Sequence, residues 1–397
     1  MLSRHLKPLL IEWRDMTQCA YPDFVRQAKP ERLSGELPIF SFHTVTPAGF
    51  EAELKFLKEN GYHTVTADEA VRFVKGELDL PDQSVMLSFD DGRLSVWAVI
   101  YPLLKKYGFR ATVFLTPDLV RPADGLSFNL EDVWKGKAKL SDIEDCDQSD
   151  EPAISWQEAA IMEASGVIDF QGHTLGHRRI PVGPRIVDFV HPGRIKQFFF
   201  RFQIPWMREG ENDPYRLSQW LGAPVYESAP FYHEGPLFLE EVSLRQACMD
   251  LVRSNGGVSF FDQPDWRKQL EGVVTAHAKE KNAWESEADQ KNRMVRDLKA
   301  CREKIELHLP RKKVTHLAYP WGGGCAASIE ASKDAGYVSN FWSTIPGHPM
   351  NKPGDDVFHL VRLKHDFIWR LPGKGRKSFL NTFGQKFVRR LTGQLDY

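Results

Sequence analysis

Short apolar runs alternate along the chain with segments in which apolar residues recur every three or four positions. The segment 37–45 is largely apolar, which predicts a strand. In the next segment, 47–60, Phe50, Leu54 and Leu57 recur at helical spacing, so a helix is expected there. Residues 37–60 are therefore predicted to form a strand followed by an amphipathic helix.

The same unit repeats. Thr66 with Glu69, and later Ser155 with Glu158, form capping boxes that predict two helix starts. Strands are predicted at 63–66, 85–89, 111–116, 167–170, 314–319 and 337–342, and helices at 95–107, 239–254, 283–308 and 326–335. Repeated β–α units with apolar strands are typical of a parallel sheet or an α/β barrel, in which active sites lie at the carboxyl ends of the strands.

Polar segments follow three of these strands at their carboxyl ends. Asp90 and Asp91 follow the first, and a turn that caps the next helix would by itself account for them. His173 and His177 follow the second, and a lone pair at this spacing is more often packing than a ligand pair. The third segment, 319–324, carries glycines that let the backbone approach a ligand. Together the three segments predict a site at one end of the barrel.

Two imidazoles and one carboxylate form a standard site for a catalytic divalent cation, and zinc is the first candidate. Neighbouring side chains on an extended segment point in different directions. Asp91 is therefore expected to bind the cation with His173 and His177, while Asp90 faces the bound water as a general base. In this hypothesis the aspartate pair divides metal binding from proton transfer.

In this order the segments SFDDG, GHTLGH and AYPWG resemble the first three motifs of the polysaccharide deacetylase family, the NodB-homology carbohydrate esterases, over residues 37–365. The resemblance implies an α/β fold, a distorted (β/α)7 barrel with a large insertion here. It implies removal of acetyl groups from N-acetylated sugars, with the base and the ligands named above. It also implies that the backbone N–H of Trp321, which follows Pro320, helps to hold the oxyanion.

Two positions depart from the family pattern. The third motif commonly carries an arginine two residues before its proline, where this chain has Ala318. Either the base lacks its usual orienting partner, or Arg93 or Arg362 substitutes for it. The general acid of the family is usually a late histidine, which His365 resembles. His43 resembles instead an early histidine of the poly-N-acetylglucosamine deacetylase branch, and we favour it as the acid.

The segment between the second and third motifs is much longer than one β–α unit needs, which predicts an insertion that shapes the substrate cleft. Its aromatic cluster, Phe198, Phe199, Phe200 and Phe202, is expected to pack the insertion onto the barrel, with sugar stacking as the alternative. Substrate contacts are predicted at Tyr319, Pro320, Tyr232, His233, Glu234 and Arg93. The predicted divisions are an N-terminal extension at 1–36, the barrel at 37–179 and 286–369, the insertion at 180–285, and a basic amphipathic tail at 370–397.

The composition indicates which partners and which cellular compartment are expected. Lys and Arg number 52 against 53 Asp and Glu, which argues against nucleic acid as a partner. Five widely spaced cysteines without a CxxC favour a reducing compartment. We expect a cytoplasmic protein, because the sequence lacks a signal-peptide pattern and any apolar run of transmembrane length.

The tail from Arg370 has seven Lys or Arg, with Leu380, Phe383, Phe387 and Leu391 at helical spacing. It is expected either to dock on the core, which we favour slightly, or to lie on an anionic membrane at the inner face, where a lipid-linked glycan precursor would be the substrate.

The predicted function is N-deacetylation of an acetamido sugar in a glycan or its precursor. An esterase or amidase acting on another acylated substrate is an alternative, because the same site would attack either bond. A barrel that binds glycan without turnover is a second, and a metallopeptidase is a third that no HExxH motif supports.

Overall fold

A computed structural model describes residues 21–30, 33, 35–121, 125–149, 152–196, 217–277, 283–382 and 384. The chain forms two compact units. The first comprises Met1–Leu175, Lys299–Gly323 and Ser332–Tyr397, and the second comprises Gly176–Leu298 and Gly324–Ala331. The segment predicted as an insertion, 180–285, lies within the second unit.

The strands of the described residues are β1 Ile39–Phe42, β2 His63–Val65, β3 Ser84–Asp91, β4 Ala111–Leu115, β5 Ile168–Gly172, β6 Arg179–Phe189, β7 Pro224–Pro230, β8 Phe238–Leu239, β9 Ala283–Trp284, β10 His316–Ala318, β11 Ser339–Trp342, β12 Leu360–Val361 and β13 Leu363–Lys364. The α-helices are Asp23–Arg26, Pro47–Glu59, Ala67–Val74, Tyr101–Tyr107, Leu130–Trp134, Trp156–Ala164, Pro192–Ile195, Val242–Ser254, Trp266–Ala276, Glu287–His308 and Ala326–Asp334.

Nine strands of the first unit form one parallel sheet in the order β12-β11-β10-β5-β4-β3-β1-β13, with β2 also paired to β3. The two outermost strands of this order, β12 and β13, are separated in the chain by Arg362 alone. The sheet therefore curls until its edges nearly meet, and the predicted α/β barrel is confirmed. Neither β12 nor β13 was predicted, because two-residue strands leave no periodic pattern.

Local sequence signals explain where the helices begin. The side chain of Thr46 accepts a hydrogen bond from the N–H of Gly49 at the start of helix Pro47–Glu59. Both predicted capping boxes are present, at Thr66 with Glu69 and at Ser155 with Glu158. These side chains satisfy N–H groups that the first helical turn leaves without partners.

The central strand β3 is buried along its whole length, as expected for a parallel strand covered on both faces. The ring of Phe42 in β1 stacks on that of Phe89 in β3, with centroids 4.7 Å apart, and neither ring is exposed. Burying one such side chain stabilises a fold by about 1.5–3 kcal/mol. The strand ends that carry the polar segments are thus fixed by a packed core.

The long charged helix Glu287–His308 has the predicted apolar face. Its members and the residue that follows the helix are buried: Met294, Leu298, Cys301, Ile305 and Leu309. The opposite positions are largely charged, which fits a helix with one solvated side.

The second unit has its own core and its own antiparallel pairs, β6 with β7 and β8 with β9. Helices Val242–Ser254 and Trp266–Ala276 contribute apolar residues to that core, including Cys248, Val252 and Leu270. The predicted phenylalanine cluster of this segment, Phe198, Phe199, Phe200 and Phe202, lies outside the described residues.

The described ends of the chain meet in the first unit. The guanidinium of Arg370 is buried and donates to the carbonyl oxygens of Val25 and Gln27 at 3.0 and 2.7 Å. Arg376 donates to the carbonyl oxygens of the same segment. Most of the predicted extension and tail, including 1–20 and 385–397, lies outside the described residues, so the membrane contact and the cytoplasmic location stay predictions.

Within the part of the chain that the structure describes, no helix is long and apolar enough to cross a membrane. Of the described cysteines, Cys248 and Cys301 are buried, and Cys146 and Cys325 are half-buried. Cys19 lies outside the described residues.

Candidate active site and metal centre

Strand β3 runs two residues further than predicted and ends on the aspartate pair, both members of which are buried. The backbone then bends sharply, because Asp91 and Gly92 have φ values of 72° and 82°. A Cβ on Gly92 would lie 2.2 Å from Cδ1 of Leu115, so the residue after the pair must be glycine. The bend holds the two carboxylates in different directions.

Asp90 is held by Arg362, the residue between β12 and β13. Nη1 of this arginine donates to Oδ1 at 2.6 Å and Nη2 donates to Oδ2 at 3.0 Å, so both carboxylate oxygens are engaged. Arg362 is 3% exposed, and its guanidinium lies 5.3 Å from the ring centroid of Phe114. Of the two arginines predicted to substitute for the one missing at Ala318, Arg362 is the partner of Asp90.

These contacts set the charge of Asp90. Burial alone would raise the pKa of its carboxyl, but Arg362, together with His173 and His43, lowers that pKa below the usual value. Asp90 is therefore a carboxylate at neutral pH.

Asp91 is held by Arg93. Both Nε and Nη2 of this arginine donate to Oδ2 at 3.1 Å, and Nη1 donates to the hydroxyl oxygen of Thr44 at 2.7 Å. Oδ1 of Asp91 lies 3.7 Å from Nε2 of His173. Arg93 was predicted to contact substrate. It is 5% exposed and packed against a carboxylate, and its contact with substrate stays a prediction.

The first histidine of the GHTLGH segment is oriented by β10. Nδ1 of His173 lies 2.9 Å from the carbonyl oxygen of Ala318. A carbonyl oxygen only accepts, so Nδ1 carries the proton and the lone pair of Nε2 points toward the aspartates. This is the arrangement that fixes histidine ligands in metal sites.

The second histidine reaches the same place because the loop bends twice, with φ values of 67° at Thr174 and 51° at His177. The structure thus brings the three predicted ligands together. Ligand atoms of Asp91, His173 and His177 all lie within 4.8 Å of one another, and all three residues are buried. Two imidazole nitrogens and one carboxylate oxygen suit a first-row divalent cation such as zinc. The donor set therefore fits the predicted metal.

The two candidate general acids lie in different surroundings. Nε2 of His43 is 3.8 Å from Oδ2 of Asp90, and a third of the His43 side chain is exposed. Burial of the ring lowers the pKa of His43 to about 4, although Asp90 and Asp91 act to raise it. His365 instead contacts Glu53, with Nδ1 2.9 Å from Oε1, and its ring stacks on Phe42.

The third motif ends in a tight turn. Trp321 has a φ of 60°, and its side chain is 43% exposed. Tyr319 is wholly buried and its hydroxyl donates to Oδ1 of Asn340 at 3.1 Å, while Pro320 is also buried. Two of the predicted substrate contacts, Tyr319 and Pro320, thus have buried side chains, and Trp321 presents the exposed ring of this motif.

The other three predicted substrate contacts belong to the second unit. The hydroxyl of Tyr232 is buried and donates to Oδ2 of Asp297 at 2.6 Å. Nδ1 of His233 accepts from the N–H of Gly235 at 2.9 Å. Glu234 is exposed. Tyr232 is thus buried and hydrogen-bonded within its own unit, and its contact with substrate stays a prediction.

Thr44 and Asp147 also belong to the aspartate network, and sequence reasoning missed both. Asp147 accepts hydrogen bonds from the N–H and the hydroxyl of Ser95, at 2.8 and 2.7 Å, and from the side chain of Thr44. It lies in a three-residue 3-10 helix, Cys146–Gln148, which is too short to leave a periodic pattern, so no sequence signal pointed to it.

Residues 77–198 match the family model described as polysaccharide deacetylase. A Bacillus subtilis relative named as a polysaccharide deacetylase is 33% identical over 100 residues, 23% of this chain and 34% of that protein. A poly-beta-1,6-N-acetyl-D-glucosamine N-deacetylase of Staphylococcus epidermidis is 30% identical over 142 residues, 36% of this chain and 40% of that protein. The chain thus spans well under half the length of these relatives.

Among solved structures, a de-N-acetylase from Aggregatibacter actinomycetemcomitans has a TM-score of 0.50 and 18% identity, covering 89% of this chain and 99% of that one. The BpsB deacetylase domain of Bordetella bronchiseptica has a TM-score of 0.50 and 14% identity, covering 84% of this chain and 98% of that one. These two likenesses concern the fold. With the family model and the relatives, they confirm the predicted resemblance to the polysaccharide deacetylases.

Proposed function

We propose that this chain, which matches the polysaccharide deacetylase family, is a metal-dependent hydrolase that removes N-acetyl groups from acetamido sugars of a glycan. One observation carries the proposal. Two adjacent buried carboxylates are held by different arginines, so that Asp90 lies beside His43 while Asp91 joins His173 and His177. A base, an acid and a cation site are what hydrolysis of an amide requires.

Asp91, His173 and His177 would hold the cation, with zinc as the first candidate for this donor set. A divalent cation held by these residues would supply Lewis-acid chemistry, polarising the acetyl carbonyl and lowering the pKa of a water molecule toward neutral. The hydrogen bond from Nδ1 of His173 to Ala318 keeps the other ring nitrogen available as a ligand.

Asp90 acts as the general base. Its lowered pKa keeps it ionised, and Arg362 holds both of its oxygens, so the carboxylate keeps one orientation as the attacking water loses its proton. The arginine that the third motif lacks is thus supplied from between β12 and β13. The reason to consider an inactive glycan-binding barrel therefore becomes weaker.

His43 acts as the general acid in this proposal, and His365 is the alternative. With a pKa of about 4, His43 is neutral in the free protein. Because Nε2 lies 3.8 Å from Oδ2 of Asp90, a proton taken by Asp90 has a short path through His43 to the departing amine. Proton transfer by such a positioned group contributes about 10²–10⁴-fold to the rate.

Trp321 has two expected roles at the mouth of the barrel. Its backbone N–H would help to hold the oxyanion, an interaction that is worth about 3 kcal/mol for one donor in acyl-transfer sites. Its exposed indole offers a face on which a sugar ring can stack.

The first substrate to test is a β-1,6-linked N-acetylglucosamine oligomer, because several relatives are named as deacetylases of that polymer. The full chain with Zn²⁺ is expected to release acetate and to leave free amines. Asp90→Asn should abolish acetate release while the protein retains bound zinc. Arg370→Gln changes a buried arginine outside the site and should leave both acetate release and bound zinc unchanged.

Three other outcomes would contradict the proposal. Acetate release from O-acetylated glycans alone would point to an esterase, and amines released from peptides alone would point to a peptidase. Binding of glycan without release from any acetylated substrate would point to a non-catalytic module.

A further inference from the structure

The two arginines of the aspartate pair use their donors differently. Arg362 places one nitrogen on each oxygen of Asp90, at 2.6 and 3.0 Å. Arg93 places two nitrogens on the same oxygen of Asp91, Oδ2, each at 3.1 Å. Oδ1 of Asp91 is the oxygen that lies nearer the histidine ligand, 3.7 Å from Nε2 of His173. The contacts of Arg93 therefore distinguish the two oxygens of a single carboxylate.

Arg93 is itself held on its other side. Nη1 donates to Thr44 at 2.7 Å, and Thr44 has a further hydrogen bond with Asp147. Asp147 is buried and anchored by two hydrogen bonds from Ser95. Because these partners fix the guanidinium, its position relative to Asp91 does not depend on solvent.

The backbone of Asp91 needs such support. Its φ of 72° is uncommon for a residue with a side chain, and a conformation of this kind persists when surrounding contacts determine it. The two hydrogen bonds from Arg93, which follows Asp91 by two positions, are contacts of this kind.

We propose that Arg93 is a positioning residue that keeps Oδ2 of Asp91 from the cation and limits this aspartate to coordination through Oδ1. The inference rests on the proposed metal site and adds to it a basis for metal choice. Zinc accepts four ligands and nitrogen donors, whereas Mn²⁺ prefers oxygen donors and octahedral coordination. An aspartate that offers a single oxygen therefore favours zinc over manganese.

The test is metal binding to the full chain after its metal has been removed with a chelator. Association constants for Zn²⁺ and Mn²⁺ are measured by competition with a chromogenic chelator, for wild type and for Arg93→Gln. The ratio of the zinc constant to the manganese constant should fall about tenfold in Arg93→Gln, the lower end of the effect of losing an outer-sphere partner. The visible absorption of Co²⁺ in the site should weaken, since a second carboxylate oxygen raises the coordination number.

Two further variants make the result specific. Arg93→Lys keeps the positive charge without the two-nitrogen contact, so its ratio of zinc to manganese constants should lie between those of wild type and Arg93→Gln. This variant serves as the test if Arg93→Gln does not fold. Arg370→Gln removes another buried arginine, one that contacts main-chain carbonyl groups, and should lower the melting temperature without changing either constant.

An unchanged metal ratio and an unchanged Co²⁺ spectrum in both Arg93 variants would overturn this inference alone and leave Arg93 a structural residue. If wild type binds neither ion, the proposed metal-dependent function fails as well. Activity is not needed for either conclusion.

Discussion

Asp90 and Asp91 share one strand end, yet the two sides of the site are built from different parts of the chain. On the side of Asp90 the partners are Arg362, from between the last two strands, and His43, which follows the first strand. Nε2 of His173 also lies 3.9 Å from Oδ2 of Asp90, so this histidine borders both carboxylates. On the side of Asp91 the partners are Arg93, two residues away, and the histidines of one loop. In the proposed mechanism, proton transfer depends on closure of the barrel. Cation binding depends on the pairing of β3, β4 and β5 in one sheet and on the turns that follow β3 and β5.

The largest effect is expected from a change at Asp90, the proposed base. Asp90→Asn removes the proton acceptor and keeps the shape, so kcat with an N-acetylglucosamine oligomer should fall about 10⁴-fold. Zinc content, measured by mass spectrometry of the purified protein, should stay near that of wild type. Loss of zinc together with activity would show that Asp90 is a ligand and that the two sides are not separate.

The next effect concerns the proton donor. His43→Gln retains a hydrogen-bonding side chain that does not titrate, and kcat should fall about 10³-fold. An amide substrate with a leaving group that needs no protonation should recover most of that loss. A fall of the same size for both substrates would contradict the assignment of His43 as the acid.

On the cation side, Asp91→Asn should lower zinc affinity by more than about 100-fold, the upper value for loss of an outer-sphere partner. Chelator competition measures this change. Added zinc should restore part of the activity of Asp91→Asn and none of the activity of Asp90→Asn. Equal rescue of the two variants would remove the distinction between them.

A smaller effect is expected at Arg362, the arginine that holds the base. Arg362→Gln should lower kcat/KM at pH 7 by up to about 100-fold through loss of orientation. Arg362 lowers the pKa of Asp90, so its removal should raise that pKa. A base works only when it is deprotonated, and the acid side of the pH profile of kcat/KM should therefore move to higher pH. An unmoved profile would mean that Asp90 does not set it.

The smallest effect is expected at His365. Loss of its hydrogen bond to Glu53 in His365→Ala should cost about 1 kcal/mol in the free energy of unfolding, with kcat changed less than about twofold. Urea unfolding and acetate release measure the two quantities. A large fall in kcat at unchanged stability would transfer the acid role from His43 to His365.

Much of the barrel was predictable because its signals are local. Apolar strand runs, capping residues such as Thr66, and the buried face of helix Glu287–His308 follow from spacing alone. The short strands β12 and β13 were missed, since two residues carry no period. Their position matters for chemistry, because Arg362 lies between them.

The sequence by itself determined which side chains stand at the strand ends, and therefore which residues are candidates for the base, the three ligands and the acid. Side-chain chemistry and strand polarity are enough for that. The tertiary structure decided which arginine meets which carboxylate, and placed His43 rather than His365 beside Asp90. Partners hundreds of residues apart in the chain meet only when the sheet closes, and no local pattern records where its two edges come together.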